Sequence, residues 1–347
     1  MRETRGMTDD AARSGPTRWG IIGTGWIATS FVRDLALLDD AEVVAVGSRR
    51  QAGADAFADL HGIRTRHATY AALAADPEVD VVYVATPHPG HHDAALLGIA
   101  EGKAVLVEKP FMLNAPEAEE VIAAARARGT FLMEAMWTRF LPHVVAIRAL
   151  LDEDVIGDVI SVVADHGQWF AEDAAHRLFA PELGGGALLD LGIYPVSFCS
   201  MVLGTPSRVT AVGTKAFTGV DAQTSLLLEH PNGSHGVVTT TLSSGTATTA
   251  VINGTKGRIE IEGPFYAPAS YTVVVRDGSR AGARDRRTEA IEGHGLRMQA
   301  AEVGRCLRAG LTESPVMPLD ETLAIMRTLD EARRQTGLVY PGEAALG

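Results

Sequence analysis

Cysteine is almost missing from this chain. Cys199 and Cys306 are its only two in 347 residues. That excludes a disulfide framework and points to a reducing compartment, the cytoplasm being the simplest expectation. Long apolar runs are missing as well. None approaches the ~18 residues that suggest a membrane span, so no membrane partner is expected. Positive charge is in deficit, with 31 Lys and Arg against 43 Asp and Glu and a formal net charge of -12. Nucleic acid is therefore not an expected partner, because its binding depends on cationic side chains that displace counterions. The opening, MRETRGMTDDAARSGPT, is polar and has no apolar h-region. Residues 1–16 read as a flexible tail rather than a secretory signal. No internal repeat or low-complexity stretch is seen.

What is present is the composition of an ordinary globular protein, 46% hydrophobic and 21% charged, long enough for two domains. From Arg18 onward short apolar runs alternate with helix-like segments. The runs are WGIIG, EVVAVGS, VDVVYVAT, AVLVE and FLMEA. Strands without a polar face, spaced by amphipathic helices, predict a doubly wound parallel sheet of the Rossmann type over residues 17–137. Such sheets bind ligands at the carboxyl ends of their strands.

The first strand-to-helix turn is Gly23-Thr24-Gly25-Trp26-Ile27-Ala28, a G-x-G-x-x-A. Gly23 suits a tight turn and Gly25 a close backbone approach to a pyrophosphate. Ala28 keeps the helix near its strand, and the free N–H groups of the helix start face phosphate. A ribose 2′-OH is usually held by an acid ~20 residues further on. Here the second strand ends in Ser48-Arg49-Arg50 instead. Guanidinium groups make charge-assisted bonds to phosphate, so NADP(H) is the expected cofactor over NAD(H).

The strand VDVVYVAT runs into Thr86-Pro87-His88-Pro89-Gly90-His91-His92. Three histidines in five residues invite a metal reading. No Cys or carboxylate sits at matching spacing on a second element, and two prolines break any aligning helix, so no metal is expected. Thr86, His88 and His91 are read instead as a loop touching the cofactor, with His92 merely opening the next helix. In VLVEKPF, Lys109 follows a buried strand, where its ammonium would lie beside a nicotinamide and reach a substrate oxygen. A lysine in a partly desolvated site can have a lowered pKa suited to proton transfer. Glu108 could orient it, and Pro110 fixes the backbone. A surface lysine after a strand is the other reading of this segment alone.

AEGKAVLVEKPF after a G-x-G-x-x-A strand resembles the Gfo/Idh/MocA family of nicotinamide sugar oxidoreductases, in which the lysine of E-K-P is catalytic. TPHPGHH, FLMEAMWTRFLP, GGGALLDLGIYPVSF, TGVDAQTSLLLEHPNG and INGTKGRIEIEGPF narrow the resemblance. They are similar to the branch of dimeric dihydrodiol dehydrogenase, also described as an NADP-linked D-xylose dehydrogenase. The resemblance covers about Arg18 to Gly337. It implies that Lys109 is catalytic, with Tyr194 as general acid/base where many family members have His, and Asp190 beside them. It further implies Trp137 in the substrate pocket and His88 and His91 near the cofactor. A helix from about Gly186 would put Asp190 and Tyr194 on one face at i and i+4. A neighbouring Lys109 ammonium is expected to lower the tyrosine's pKa from ~10. A capping or salt-bridging Asp190 and a core Tyr194 stay open. Arg139 and Trp169 are further substrate-side candidates, with a core role equally open for Trp169.

After the helix-like LPHVVAIRALLDED the pattern changes. VISVVADHG, RVTAVGTKAF, TSLLLEH, SHGVVTTTLS, TATTAVING, GRIEIEG and YTVVVRDG follow closely with turn signals between them. They predict a large, mostly antiparallel open sheet over residues 138–337, an α+β domain for substrate binding and oligomerisation. Thr239, Thr241, Thr246 and Thr248 suggest one free face. In the resembled family this face pairs copies into a homodimer or homotetramer. RDGSRAGARDRRTEA reads as a mobile charged loop. Helices near 295–309 and 319–336 are expected to end the domain, with one of them packing back on the first domain, and 338–347 reads as a tail. The expected function is NADP-dependent hydride transfer at a secondary hydroxyl or carbonyl carbon of a sugar, such as D-xylose or D-glucose, or of a cyclic diol. A ketosugar reductase and a non-catalytic NADP(H) sensor are the alternatives.

Overall fold

The computed structural model describes residues 15–279 and 282–343. The expected N-terminal tail falls outside them up to residue 14. In the first half β1 (Thr17–Ile22), α1 (Trp26–Leu35), β2 (Ala41–Gly47), α2 (Gln51–His61), β3 (Thr65–His67), α3 (Tyr70–Ala74), β4 (Val81–Val84), α4 (His91–Ala100), β5 (Ala104–Glu108), α5 (Ala115–Arg128) and β6 (Leu132–Ala135) alternate. All six strands are parallel, in the order β3-β2-β1-β4-β5-β6. Every residue of β4, β5 and β6 is buried, which is why those runs have no polar face. The order reverses between β1 and β4, so the strand ends bearing Gly23, Thr86 and Lys109 flank the topological switch point.

Local signals set the helix ends. The Asn114 side chain accepts the Glu117 N–H at 2.9 Å and Glu117 accepts the Leu113 N–H at 3.2 Å, a reciprocal cap that starts α5. Gly129, left-handed at φ 69°, ends it.

α6 (Pro142–Asp152) leads out of the first sheet. β7 (Val159–Gly167), α7 (Ile193–Leu203), β8 (Arg208–Lys215), β9 (Asp221–Glu229), β10 (His235–Thr241), β11 (Ala250–Gly254), β12 (Gly257–Ile261), β13 (Ser270–Val275) and β14 (Ala283–Thr288) follow. Their sheet has the order β14-β13-β12-β11-β7-β10-β9-β8. Only β7 and β10 pair in parallel. α8 (Leu296–Arg308) returns to pack on α1, where Asp34 accepts the backbone N–H groups of His294 and Arg297 at 2.9 and 2.8 Å. α9 (Leu319–Thr336) lies against β8, α5 and β6. Buried residues of both sheets belong to one hydrophobic cluster.

Four expectations change. The free sheet face is not a threonine surface. Thr241 and Thr248 are buried, and Thr246 and Thr248 lie outside any strand. Cross-strand pairing instead puts exposed Val163, Val237 and Leu227 side by side, with exposed Val212 on the neighbouring strand. The charged segment is partly ordered as β14, because Arg284 and Arg286 pair with Glu260 and Glu262 at 2.6 and 2.7 Å. Its residues 280–281 lie outside the described ones. By length and composition the helical stretch Pro181–Leu203 is apolar enough to cross a membrane, but 83% of that window is buried inside the protein. Finally, residues 338–343 are not a free tail, since Leu338 and Tyr340 are buried; 344–347 lie outside the described residues.

Candidate active site

A cavity of about 390 Å³ runs along the switch point, from Gly23–Ile27 and Ser48–Arg50 at one end to Lys109, Trp137, Asp190 and Tyr194 at the other. Gly23 has φ 100°, and a Cβ there would stand 2.5 Å from the Ala85 carbonyl oxygen, so only glycine fits. A Cβ on Gly25 would meet nothing within 4 Å, because that position faces open space. Gly25 also caps α1 without a side chain, leaving the first N–H groups free for a ligand. Ala28 does not line the cavity; it is fully buried and sets how closely α1 lies on the sheet. The Thr86 hydroxyl is buried and unpartnered while its residue lines the cavity. Bare glycine backbone, an uncapped helix start and a waiting hydroxyl fit a dinucleotide. The acids among the described lining residues, Glu108 and Asp190, are both at the far end, so none is near Ser48–Arg50.

At the far end Lys109 leaves β5 through a cis bond to Pro110. Its Nζ donates to the Asp190 backbone oxygen at 3.0 Å and lies 3.4 Å from Asp190 Oδ1. It also sits 4.7 Å above the centre of the Tyr194 ring. Arg177 grips the Asp190 carboxylate with both terminal nitrogens, at 3.0 Å each. The segment Leu188–Gly192 is a π-helical turn before α7, a wider winding than the expected α-helix. It still delivers both Asp190 and Tyr194 to Lys109. Glu108 is turned away from the ammonium: it accepts the Tyr83 hydroxyl at 2.5 Å and the Lys109 backbone N–H at 3.2 Å.

The electrostatics follow from burial and these pairs. Burial disfavours the Lys109 ammonium, but Asp190, with Tyr194 and Glu108, outweighs it and raises the pKa well above the ordinary value. Burial likewise opposes charge on Asp190, yet Lys109 and Arg177 hold it well below the usual carboxylate range. Tyr194 is raised by burial, which Lys109 and the hydrogen bond from Trp137 only partly offset. The expected lowering of the lysine and tyrosine pKa values is therefore reversed. The ammonium sits over the ring face, and its charge is already answered by a carboxylate.

Tyr194 Oη accepts the Trp137 indole N–H at 3.1 Å. Its ring stacks on Tyr266 at 4.6 Å, and Tyr266 on His166 at 4.4 Å. His166 Nδ1 donates to the Leu191 carbonyl at 3.1 Å, which leaves Nε2 to accept from Gln168 at 3.0 Å. Burial lowers the His166 pKa to about 4, so the ring is neutral. Arg177, His166, Gln168 and Tyr266 escaped the sequence reading. Arg177 lies in a stretch without periodicity, and Tyr266 follows Gly263-Pro264-Phe265, which carries no chemical signature.

Three of the proposed contacts sit elsewhere than expected. Arg139 points away from the cleft, toward α7 and α9, and bonds Ser197 and Glu321, the latter at 2.6 Å. Trp169 is neither in the core nor among the residues lining the cavity; it is 68% exposed beside Gln168. His91 forms wall, but its nitrogens face backbone oxygens of Thr86 (2.9 Å) and Pro110 (3.0 Å); burial lowers its pKa, so the neutral ring donates to one of these oxygens and turns neither nitrogen toward a ligand. His88 Nδ1 meets the Gly184 oxygen at 3.0 Å, and burial first, despite Asp190, lowers its pKa to about 3. Among the described residues no cluster of His, Cys, Asp and Glu could hold a metal ion.

Residues 17–136 match the oxidoreductase family with an NAD-binding Rossmann fold, and 144–260 match the GFO/IDH/MocA C-terminal domain. The trans-1,2-dihydrobenzene-1,2-diol dehydrogenase of Mus musculus is 42% identical over 334 residues, covering 93% of this chain and 98% of the relative. That of Bos taurus is 39% identical over 330 residues, covering 93% and 98%. Among solved structures, the aldose-aldose oxidoreductase of Caulobacter crescentus superposes with a TM-score of 0.84 at 24% identity, over 93% of this chain and 98% of that one. KijD10, a 3-ketoreductase of Actinomadura kijaniata in complex with NADP and TDP-benzene, gives 0.80 at 26% identity over the same shares. The two family matches together span most of the chain, the diol dehydrogenases are about 40% identical over nearly all of it, and the chain belongs to the Gfo/Idh/MocA family of oxidoreductases with an NAD-binding Rossmann fold.

Proposed function

We propose that this enzyme transfers hydride between NADP(H) and a secondary hydroxyl or carbonyl carbon of a sugar or cyclic diol. One observation carries the reading: a single cavity joins the Gly23–Gly25 cradle and Ser48–Arg50 to the Lys109 ammonium and Tyr194 phenol. When bound, the nicotinamide supplies or accepts the hydride. Gly23, Gly25 and the start of α1 would hold its pyrophosphate, and Ser48, Arg49 and Arg50 the 2′-phosphate. Lys109 and Tyr194 donate hydrogen bonds to the substrate oxygen and polarise it. Asp190 and Arg177 hold the ammonium in place. Trp137, Tyr194 and Tyr266 offer aromatic walls to a sugar or diol ring. The diol dehydrogenases among the relatives support this substrate class.

Ketosugar reduction is the second reading. Both Lys109 and Tyr194 have raised pKa values, so they wait protonated, ready to give a proton to a carbonyl oxygen. A panel of sugars, ketosugars and diols, followed by nicotinamide absorbance with NADP(H) and NAD(H), tests both. NADP(H) binding with no turnover anywhere in the panel would leave a sensor. We further propose assembly through the open sheet face, a reading supported by the exposed Val163, Val212, Leu227 and Val237, which a two-fold partner would cover. Sedimentation of an unchanged monomer at micromolar concentration would reject this. Two buried free thiols, Cys199 and Cys306, fit the reducing cytoplasm.

A further inference from the structure

The catalytic groups come from two segments far apart in sequence, and a third segment ties them together from behind. Lys109 sits on residues 109–113 after β5. Asp190 sits five residues after Gly185, in the turn Gly184–Gly186 that starts the π-helical segment. Buried Tyr340 donates its hydroxyl hydrogen to the Gly185 oxygen at 2.7 Å. That turn also seats the Arg177 segment, since the Gly186 N–H donates to the Leu178 oxygen at 2.8 Å. Fully buried Arg333 donates to the Leu113 oxygen at 2.9 Å, just beyond Lys109. The two ties are one unit, because the Arg333 guanidinium lies 4.6 Å from the centre of the Tyr340 ring. Glu343 closes it by bonding Arg333 and accepting the Tyr340 N–H at 2.9 Å.

We propose that Tyr340 is a positioning residue for catalysis: by holding Gly185, it sets the approach of Asp190 and Arg177 to Lys109. Tyr340 touches neither the cavity nor the Lys109 side chain, so its effect passes through Asp190. The proposal rests on the assignment of Lys109 and Asp190 to the reaction. Losing one buried hydrogen bond leaves the Gly185 oxygen unsatisfied, and the turn can relax at the cost of the catalytic geometry.

The test uses the full chain carrying Tyr340→Phe, assayed on the best substrate of the panel. kcat is expected to fall about tenfold, while KM and NADP(H) affinity stay within about twofold. In an Asp190→Asn background the same substitution should cost less than about twofold, because the group it positions has been altered. An unchanged kcat, or an equal loss in both backgrounds, would overturn the proposal. If Tyr340→Phe does not fold, Glu343→Gln at the outer end of the tie is compared in the same two backgrounds, with about a threefold fall in kcat expected and the same two outcomes decisive. Full activity in Lys109→Met would instead reject the site assignment itself and is read separately.

Discussion

The two ends of the cleft are made of different material. At the Gly23 end the binding groups are backbone: a glycine held at φ 100°, a bare Gly25 and an uncapped helix. At the Lys109 end they are side chains, brought from β5, the Trp137 turn, the Arg177 loop, the π-helical segment and the Tyr266 loop. Gly23 is fixed by the fold, but Gly25 binds by having no side chain, so a small addition at Gly25 damages binding and spares the fold. A buried charge cluster works by mutual compensation, so removal of one member disturbs the others. Substitutions at the two ends should therefore fail in different ways.

The largest effects belong to the side-chain end. Lys109→Met and Tyr194→Phe should each lower turnover by ~10²–10⁴-fold with NADP(H) affinity little changed. Together they should lose less than the product of the two, because both donate to one substrate oxygen. Steady-state kinetics beside cofactor titration of the same preparations measures this. Normal turnover in Tyr194→Phe would reduce that residue to packing beneath Lys109.

The contrast also explains what could be read in advance. The cradle is a local motif of six residues, and the parallel sheet announces itself by strands without a polar face. Both were legible. The cluster proposed for catalysis depends on partners such as Trp137 and Tyr194, 57 positions apart, and Gly185 and Tyr340, 155 apart. No periodicity encodes such pairs. Lys109, Asp190 and Tyr194 were reachable through a family pattern, whereas Arg177, His166 and Tyr266 had no such signal. Arg139 departs from its substrate-side expectation because an arginine beside a pocket tryptophan can turn either way, and here Ser197 and Glu321 satisfy it. The tyrosine pKa departs from expectation for a similar reason. Proximity to an ammonium is visible in a motif, but the depth of burial that outweighs it is not.

A second effect lies beneath the catalytic end. Glu134 on β6 is fully buried and accepts the Phe111 N–H at 3.1 Å, two residues past Lys109. Burial raises its pKa from 4.5 to about 7, against the opposing pull of Arg139. Below pH 4.5 folded and unfolded chains both hold the proton. Between there and about pH 7 only the folded chain does, so this group's stabilisation is lost as pH rises through that window. Glu134→Gln keeps the acceptor and removes the titration. Relative to that variant, the unmodified protein should lose up to about 3 kcal/mol between pH 5 and 8 in urea unfolding. Parallel pH profiles for the two proteins would contradict a buried, titrating carboxyl.

At the backbone end, Gly25→Ala is the sharpest probe. A Cβ there meets nothing in the protein, so thermal stability should barely move. The methyl group fills the space a pyrophosphate needs, and NADP(H) and NAD(H) affinity should both fall at least about tenfold. Isothermal titration and a melting curve on one preparation separate the two. A large drop in melting temperature with intact cofactor binding would invert the comparison between the two ends.

The smallest effect separates the two cofactors. Arg49 is exposed, follows β2 and lines the cavity with Ser48 and Arg50, and no lining acid is near to repel a phosphate. A guanidinium on a 2′-phosphate gives a charge-assisted bond that NAD(H) cannot make. NADP(H) should bind the unmodified protein at least about tenfold tighter, a difference of about 1.4 kcal/mol. Arg49→Ala should remove most of that margin and leave NAD(H) affinity within about twofold, since the remaining contacts are common to both cofactors. The margin should also shrink as salt is raised, because an exposed ion pair is screened. Equal affinities for the two cofactors at low salt would show that Ser48–Arg50 do not read the phosphate, and that the preference, if any, resides in the backbone cradle.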